Sequence, residues 1–285
     1  MSAAFVRHDP VGARLALVLD SPHSGETYPP DFRHAPPRAI VRRAEDTHVA
    51  RLWRGAPALG ATLLEASFPR AYVDANRGLA DIDPGLLADA WPEPLAPTRK
   101  TQQGIGLVWR VARDGMPMYD HRLTSAEIRA RIDRFWRPYH NELDALLDAR
   151  HQEFGAVWHI DCHSMPAIGD ALADDPGCLR ADFVLGDRDG TTCEPAFTHL
   201  VAATVRKLGY GVAFNDPYKG VEIVRRHGRP AENRHSLQIE IKRSLYMDEE
   251  TLEPNAGYAQ LEGDLARLTG VLVDYVRTCA PRPGA

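Results

Sequence analysis

Trp158-His159-Ile160-Asp161-Cys162-His163-Ser164 follows the apolar residues Phe154-Gly155-Ala156-Val157, so that a run of strand length ends in polar groups. Strand alternation places His159, Asp161 and His163 on one face and the three less polar residues on the other. Three polar side chains on one face are costly to bury without partners. The stretch therefore predicts one of two structures. It is either a strand end with solvated polar residues, or a strand whose last histidine, His163, binds a metal ion at the end of a sheet.

A second histidine occupies the same place in a second pattern. Residues 13–20 (ARLALVLD) are typical of a buried strand, and they lead into Ser21-Pro22-His23-Ser24-Gly25, which is rich in turn-forming residues. In open α/β sheets, ligands bind at the carboxyl ends of the strands. Two histidines just past the ends of two strands therefore indicate a shared site.

Strands and helices alternate along the rest of the chain. Further strands are predicted at 60–67, 71–73, 182–186, 209–214 and 236–242. The capping-box pattern Thr124-Ser125-Ala126-Glu127 begins a long amphipathic helix that we expect to kink near Pro138, and two more helices are expected at 197–208 and 261–276. This order predicts an α/β fold with three layers, in which helices flank a largely parallel or mixed sheet.

The length of 285 residues allows one large α/β domain or two small ones. We expect a single domain over 1–285, with a loop-rich insertion at about 78–118 where prolines and glycines are frequent. So long an irregular segment is usually functional or mobile. We expect these loops to overhang the site, with Arg110 as the basic residue that points inward, although a solvated surface charge is the alternative for Arg110.

The composition argues against several classes of protein. The net charge of −5 and the absence of a long basic run give no reason to expect a nucleic-acid partner. No apolar run approaches membrane-spanning length, and residues 1–10 lack the apolar core of a secretory signal. The four cysteines form no CxxC pair, which is typical of reduced thiols in a cytosolic protein. We therefore expect a cytoplasmic protein that acts on a small molecule; the oligomeric state is not predicted.

Two histidines and one carboxylate, with one position left to water, form a common catalytic zinc site. His23, Asp46 and His163 would fit that set, although Asp46 could instead cap a helix that begins near Val49. Asp161 could orient the imidazole of His163 through its other nitrogen. The chain has no HExxH, GxSxG, P-loop or GxGxxG motif, which argues against helix-borne zincin chemistry and weakens a serine hydrolase.

Glu240 is a carboxylate in the middle of the predicted strand 236–242, where glutamate is disfavoured. Leu237, Ile239 and Ile241 form the apolar face of that strand, so Glu240 lies on the other face. It could be the general base of a hydrolytic site. The alternative is an edge strand with one face in water.

Five motifs, in the expected order and spanning about residues 17–248, resemble those of the N-formylglutamate amidohydrolase (deformylase) family. They are Ser21-Pro22-His23-Ser24-Gly25, Asp161-Cys162-His163-Ser164, Asn215-Asp216-Pro217-Tyr218, Arg225-Arg226-His227-Gly228-Arg229-Pro230 and residues 236–247 (SLQIEIKRSLYM). This family is more distantly similar to zinc carboxypeptidases and aspartoacylases. The resemblance implies a zinc carboxypeptidase-like (phosphorylase/hydrolase-like) fold. It also implies metal-dependent hydrolysis of N-formyl-L-glutamate to formate and L-glutamate, in cytoplasmic histidine degradation.

The wider group has a DxNR motif whose Asn and Arg bind the substrate carboxylate, and Asp74-Ala75-Asn76-Arg77 matches it. Its DxH strand supplies the last zinc ligand, here His163, and a later strand glutamate serves as general base, here Glu240. Its first two ligands are spaced HxxE, which His23 and Glu26 satisfy. Either Glu26 or Asp46 could therefore be the carboxylate ligand. We favour Asp46, because Glu26 lies in a flexible turn.

The hypothesis is hydrolysis assisted by Zn²⁺, or by another divalent ion such as Co²⁺, with Arg70 as a nearby cation that stabilises the oxyanion. N-formylglutamate has two carboxylates, so a second cation is needed beside Arg77. Arg225, Arg226 and Arg229 are candidates, and simple surface charge is the alternative for each. Two other functions remain open: a related zinc enzyme acting on another N-acyl amino acid, and a catalytically silent protein that binds a metal or ligand. A plain α/β domain with solvated strand ends is the third possibility.

Overall fold

A computed structural model describes residues 3–112, 115–171 and 173–280. Positions 113 and 114 of the predicted loop segment lie outside the described residues. The chain forms two compact units: the first consists of Met1–Val6, Pro22–Thr47 and Glu65–Glu142, and the second of Arg7–Ser21, His48–Leu64 and Leu143–Ala285. The assignment of one amidohydrolase domain to 1–285 stays a prediction.

Seven strands of the described chain form one sheet. They are β1 (Phe5–His8), β2 (Leu17–Ser21), β3 (Thr62–Ala66), β4 (Val157–Met165), β5 (Phe183–Gly186), β6 (Val212–Phe214) and β7 (Arg234–Lys242), in the order β1-β3-β2-β4-β7-β5-β6. The pairs β2–β4, β4–β7 and β5–β6 are parallel, whereas β5 and β7 are antiparallel. The mixed α/β sheet predicted from the sequence is therefore confirmed.

The helices fall between and after these strands. They are α1 (Arg38–Arg42), α2 (Val49–Leu52), α3 (Arg99–Gln102), α4 (Ser125–Arg131), α5 (Arg137–Phe154), α6 (Pro195–Lys207), α7 (Glu222–His227) and α8 (Tyr258–Cys279), with 3₁₀ turns at Ala56–Leu59, Pro84–Leu86, Pro230–Glu232 and Arg243–Leu245. No helix within the described ranges is both long enough and apolar enough to span a membrane.

The predicted long helix divides into α4 and α5 around a π-helical turn, Ile132–Trp136. The capping box at its start is formed, because Thr124 and Glu127 each accept a hydrogen bond from the other's backbone N–H. The π-helical turn ends two residues before Pro138, which has no N–H to donate to the preceding turn. The helix is therefore irregular just before Pro138, and the kink expected there stays a prediction.

The predicted strand at 71–73 is wrong, and β1 was missed. Tyr72 donates its backbone N–H to the carbonyl of Pro69 at 3.0 Å, so this segment is a turn despite its β-prone residues. The segment 78–118 is irregular in the described residues apart from the 3₁₀ turn Pro84–Leu86 and α3, as expected.

The two central strands β4 and β7 are enclosed on both faces. Every residue of β4 is buried. The apolar side of these strands joins the same hydrophobic core as the predicted stripe of α8, which comprises Leu261, Leu265, Leu268, Leu272 and Val276. Full burial of one such side chain contributes roughly 1.5–3 kcal/mol, so this stripe anchors α8 in the core. β7 lies between β4 and β5, so it is not an edge strand. The alternative for Glu240, an edge strand with one face in water, is therefore wrong.

Candidate metal centre

The parallel pairing of β2 with β4 directs both predicted histidine segments to the same edge of the sheet. The pairing aligns Asp20 with Asp161. His23 follows β2 by two residues, and His163 lies two residues past Asp161 in β4. The chain therefore leaves β2 at the edge where His163 is found, as expected for ligands at the carboxyl ends of strands.

His23 is buried and has a carboxylate beside each ring nitrogen. Its Nε2 lies 2.7 Å from Oδ1 of Asp74, and its Nδ1 lies 3.5 Å from Oδ2 of Asp46. The backbone N–H of Asp46 donates to the carbonyl of His23 at 3.0 Å, and the hydroxyl of Ser24 donates to the carbonyl of Asp46 at 3.0 Å. These backbone contacts hold Asp46 at a fixed distance from His23.

The structure separates the two candidate carboxylate ligands. Asp46 is fully buried, whereas the side chain of Glu26 is 47% exposed and forms an ion pair with Arg42 at 2.9 Å. Asp46 does not cap the following helix either, because the N-cap of α2 is His48. The helix-cap alternative for Asp46 is therefore wrong, and its carboxylate faces His23 instead.

Asp74 contacts four residues of the site, although no role was predicted for it from the sequence. Besides its contact with His23, it accepts two hydrogen bonds from Arg70 (3.0 and 3.2 Å), one from the Trp109 indole (3.3 Å) and one from the backbone of Asn76 (2.9 Å). Burial works to raise the pKa of Asp74, but Arg70 and His23 hold it well below its usual value. An ionised carboxylate on Nε2 leaves the lone pair of His23 on Nδ1, which faces Asp46. The Asp of the DxNR motif was the sequence signal that could have indicated this role.

Three buried side chains of the described residues could hold a metal ion. His23, Asp46 and His163 each offer one ligand atom, and these atoms all lie within 4.8 Å of one another. Two imidazole nitrogens and a carboxylate oxygen suit zinc and other divalent ions of similar character. The orientation of His23 by Asp74 is the arrangement expected around a ligating histidine. The residues present therefore fit a divalent metal ion.

Asp161 contacts His163 as predicted. Nε2 of His163 lies 2.7 Å from Oδ1 of Asp161. Burial raises the pKa of Asp161 even though His163 opposes the shift, and nearby Asp20 adds to the rise. The position of Asp161 is thus suited to orienting the imidazole of His163.

His159 lies deeper on the same face and makes two hydrogen-bond contacts of its own. Its Nε2 is 2.9 Å from Oδ1 of Asp20, and its Nδ1 is 2.8 Å from Oγ of Ser236. Both ring nitrogens are engaged by side chains of the neighbouring strands. His159 therefore joins β2, β4 and β7 below the candidate ligands.

Glu240 lies beside His163, because these residues pair in the parallel register of β4 and β7. Its side chain is almost fully buried, and its Oε1 accepts a hydrogen bond from Nε2 of Gln238 at 3.1 Å. Paired residues of neighbouring strands project to the same face of a sheet. The mid-strand carboxylate and the candidate metal ligand thus share one face.

The DxNR arginine is also buried. Arg77 donates from Nη1 to the carbonyl of Asn76 at 3.0 Å and from Nε to the carbonyl of Ile105 at 3.3 Å. Burial lowers the pKa of Arg77, although Asp74 partly compensates. Asn76 is buried as well, so both proposed substrate-binding residues of the motif lie inside the first unit.

Four other arginines that the sequence offered as substrate-binding candidates lie in ion pairs at the surface, which differs from the sequence-based expectation. Arg110 is 41% exposed and contacts Asp83 at 2.5 Å, so it does not point inward. Arg225 is 59% exposed and pairs with Glu222, and Arg226 pairs with Asp144 at 2.5 Å. Arg229 likewise pairs with Glu232 at 2.9 Å. These contacts favour the surface-charge alternative for all four arginines.

Comparisons with known proteins show which family this chain resembles. The family model for N-formylglutamate amidohydrolase matches residues 15–247. The N-formylglutamate deformylase of Pseudomonas aeruginosa is 33% identical over 245 residues, which cover 83% of this chain and 84% of that protein. The corresponding protein of Pseudomonas putida is 32% identical over 244 residues, covering 83% of each. The crystal structure of an N-formylglutamate amidohydrolase from Ralstonia eutropha JMP134 is 50% identical, with a TM-score of 0.92 over 97% of this chain and 99% of that one.

Proposed function

The chain belongs to the N-formylglutamate amidohydrolase family, and from this premise we propose that it hydrolyses N-formyl-L-glutamate to formate and L-glutamate. The observation that carries the proposal is the buried group of His23, Asp46 and His163, which lies in the matched region and has ligand atoms close enough to share a metal ion. Family resemblance is the support for assigning the reaction to cytoplasmic histidine degradation.

The metal is proposed to be Zn²⁺, held by His23, Asp46 and His163, and Co²⁺ would suit the same donors. When bound, a divalent ion supplies Lewis acidity, which lowers the pKa of water from about 15.7 to roughly 7 and polarises a carbonyl. Asp74 and Asp161 contact the two histidines and would keep their rings in the orientation that ligation needs.

Glu240 is proposed as the general base and later the general acid. Its position beside His163 supports this role, because the two share one face of adjacent strands. Glu240 would take a proton from the attacking water as the oxygen bonds to the formyl carbon. It would then pass that proton to the amide nitrogen as the C–N bond breaks, so that formate and the free amine of glutamate leave.

The remaining roles concern charge on the substrate. Arg77, buried and oriented by carbonyls of its own unit, would bind one substrate carboxylate together with Asn76. Arg70 is held by two hydrogen bonds to Asp74 and is the cation that we propose for the oxyanion.

The test is formate release from N-formylglutamate by the purified protein with zinc, with cobalt and with a chelator. N-acetylaspartate and a short peptide at equal concentration are the comparison substrates. We expect turnover of N-formylglutamate alone, lost with the chelator and restored by either metal. Preferred hydrolysis of another acyl amino acid would replace the substrate assignment, and metal binding without hydrolysis of any of the three would contradict the enzymatic function.

A further inference from the structure

The loop between β4 and β5 leaves the sheet at its carboxyl edge and returns a buried arginine to that edge. Arg180 is 5% exposed, and its backbone N–H donates to the carbonyl of Ala167 at 3.0 Å. Its Nη1 donates to the carbonyl of Pro166 at 3.2 Å, and Pro166 is the first residue beyond β4. The guanidinium is therefore fixed close to the end of the strand that carries His163.

The neighbouring strand pairing also places Arg180 near Glu240. In the antiparallel pair of β5 and β7, Val184 lies opposite Glu240, and the backbone N–H of Lys242 donates to the carbonyl of Asp182 at 2.9 Å. Arg180 precedes this contact by two residues. The cation therefore lies at the end of β7 that carries the proposed general base.

Most of the contacts of Arg180 hold it in place, and part of its hydrogen-bonding capacity remains. Asp175 accepts from Nε at 2.8 Å and from Nη2 at 2.7 Å, and the ring of Tyr218 lies 5.1 Å from the guanidinium carbon. Burial works to lower the pKa of Arg180, but Asp175, Tyr218 and Glu240 raise it above its usual value, so the group stays charged.

A guanidinium has five N–H groups, and the contacts with Asp175 and Pro166 use three of them. One N–H on Nη1 and one on Nη2 have no partner among the described residues. Two such N–H groups can bind both oxygens of a carboxylate. Arg180 is thus an anchored cation that can still bind an anion.

The substrate proposed above has a second carboxylate that needs such a cation. Its α-carboxylate is attached to the carbon that bears the formyl amide, and this near position suits Arg77, whose motif neighbour Asp74 contacts His23. The side-chain carboxylate lies farther from the scissile bond. We propose that Arg180 binds the side-chain carboxylate of the N-formyl amino acid and thereby selects an acidic side chain. This inference rests on the proposed function.

The test compares two substrates in Arg180→Gln and the wild type. N-formylglutamine has the same backbone and length as N-formylglutamate but a neutral side chain. The substitution should lower kcat/KM for N-formylglutamate by roughly 10- to 100-fold, the usual effect of losing a charge-assisted hydrogen-bonded contact. For N-formylglutamine the change should stay within about threefold, because the lost charge has no partner there. Arg137→Gln, which removes an exposed arginine paired with Asp133, is the matched control and should alter neither rate.

Arg180→Lys keeps the charge but cannot form the bidentate contact, so it should retain part of the preference for N-formylglutamate. This variant keeps the test decisive if Arg180→Gln folds poorly. Equal losses on both substrates, or none on either, would overturn the proposal. The loss should persist with N-formylisoglutamine, which keeps the side-chain carboxylate but has an amide in place of the α-carboxylate. A loss that disappears with this substrate would assign Arg180 to the α-carboxylate and overturn the proposal. A wild-type protein that releases no formate from N-formylglutamate would instead refute the proposed function, and this inference would fall with it.

Discussion

Asp74→Asn should weaken metal binding without touching a proposed ligand. The carboxylate accepts hydrogen bonds on both oxygens: His23 and the Asn76 backbone contact Oδ1, and Arg70 and Trp109 contact Oδ2. An asparagine side chain has one oxygen and an NH₂ group that only donates. Whichever way the amide is turned, its NH₂ group faces N–H groups whose hydrogen bonds the carboxylate accepted.

The charge on Arg70 decides which way the amide turns. If the amide oxygen stays with Arg70, the NH₂ group meets Nε2 of His23, which must then accept. The proton of His23 moves to Nδ1, the nitrogen that faces Asp46 at 3.5 Å, and a protonated nitrogen cannot bind a metal. Loss of a carboxylate behind a ligating histidine typically costs 10–100-fold in metal affinity, which is about 1.4–2.8 kcal/mol.

The same substitution removes the ionic partner of Arg70, whose side chain is 14% exposed. Breaking a buried pair on one side costs about 3–5 kcal/mol, and the partial exposure of Arg70 puts the expected loss of unfolding free energy near the lower end, at ~3 kcal/mol. The two effects separate experimentally. Metal affinity is measured by competition with a chelator, and stability by denaturant unfolding of the metal-free protein.

Asp264→Asn is the matched control for this prediction. Asp264 is buried in α8 and accepts hydrogen bonds from Tyr210, Gln260 and Arg267. Its substitution should lower stability and leave metal affinity unchanged. If Asp74→Asn binds zinc within about twofold of the wild type, the orientation of His23 by Asp74 is unnecessary for ligation and the reasoning is refuted.

Four further outcomes follow from the site. Glu240→Gln should keep zinc affinity but lose roughly 10²- to 10⁴-fold in kcat, measured by formate release; a near-normal rate would remove Glu240 as the base. Asp46→Asn should abolish stoichiometric zinc binding in a direct titration, whereas Glu26→Gln should leave it intact, and the reverse result would exchange their roles. Removing the metal with a chelator should lower the free energy of unfolding by about 2.7 kcal/mol, compared with the protein in free zinc at 100 times its Kd. Equal stability with zinc and with the chelator would argue against a bound metal. His159→Gln should cost roughly 1–3 kcal/mol in denaturant unfolding and alter zinc affinity less than Asp74→Asn does, so a larger effect on zinc would show direct involvement.

Local patterns carried most of what the sequence predicted correctly. The alternation in residues 236–242 identifies the face of β7 that carries Glu240, and the apolar spacing after Leu261 identifies α8. The two histidine segments are local as well, because each follows or ends an apolar run of strand length. These features can be predicted without knowing which strands are neighbours, because the period of two or of 3.6 depends only on consecutive residues.

Partners that are distant in the chain account for what was missed. The sequence around Arg226 offers it as a cation for the substrate, because its ion-pair partner Asp144 is 82 positions away in the chain. Asp74 lies 51 positions from His23, so its contact with that histidine is invisible until the chain is folded. Arg180 was overlooked for a similar reason: its proximity to Glu240 depends on the antiparallel pairing of β5 with β7, which no local pattern specifies.

The buried polar face of the central strands explains how the site keeps its alignment. Asp161 and His163 of β4 lie on the face that also carries His159, and the opposite face packs into the apolar core. A slip of one residue between neighbouring strands would turn every side chain to the wrong face. Such a slip would also leave His159 without Asp20 and Ser236, at the cost of unsatisfied buried polar groups. The contacts of His159 therefore help to fix the register at which His163 stands beside Glu240, although His159 itself lies below the proposed chemistry.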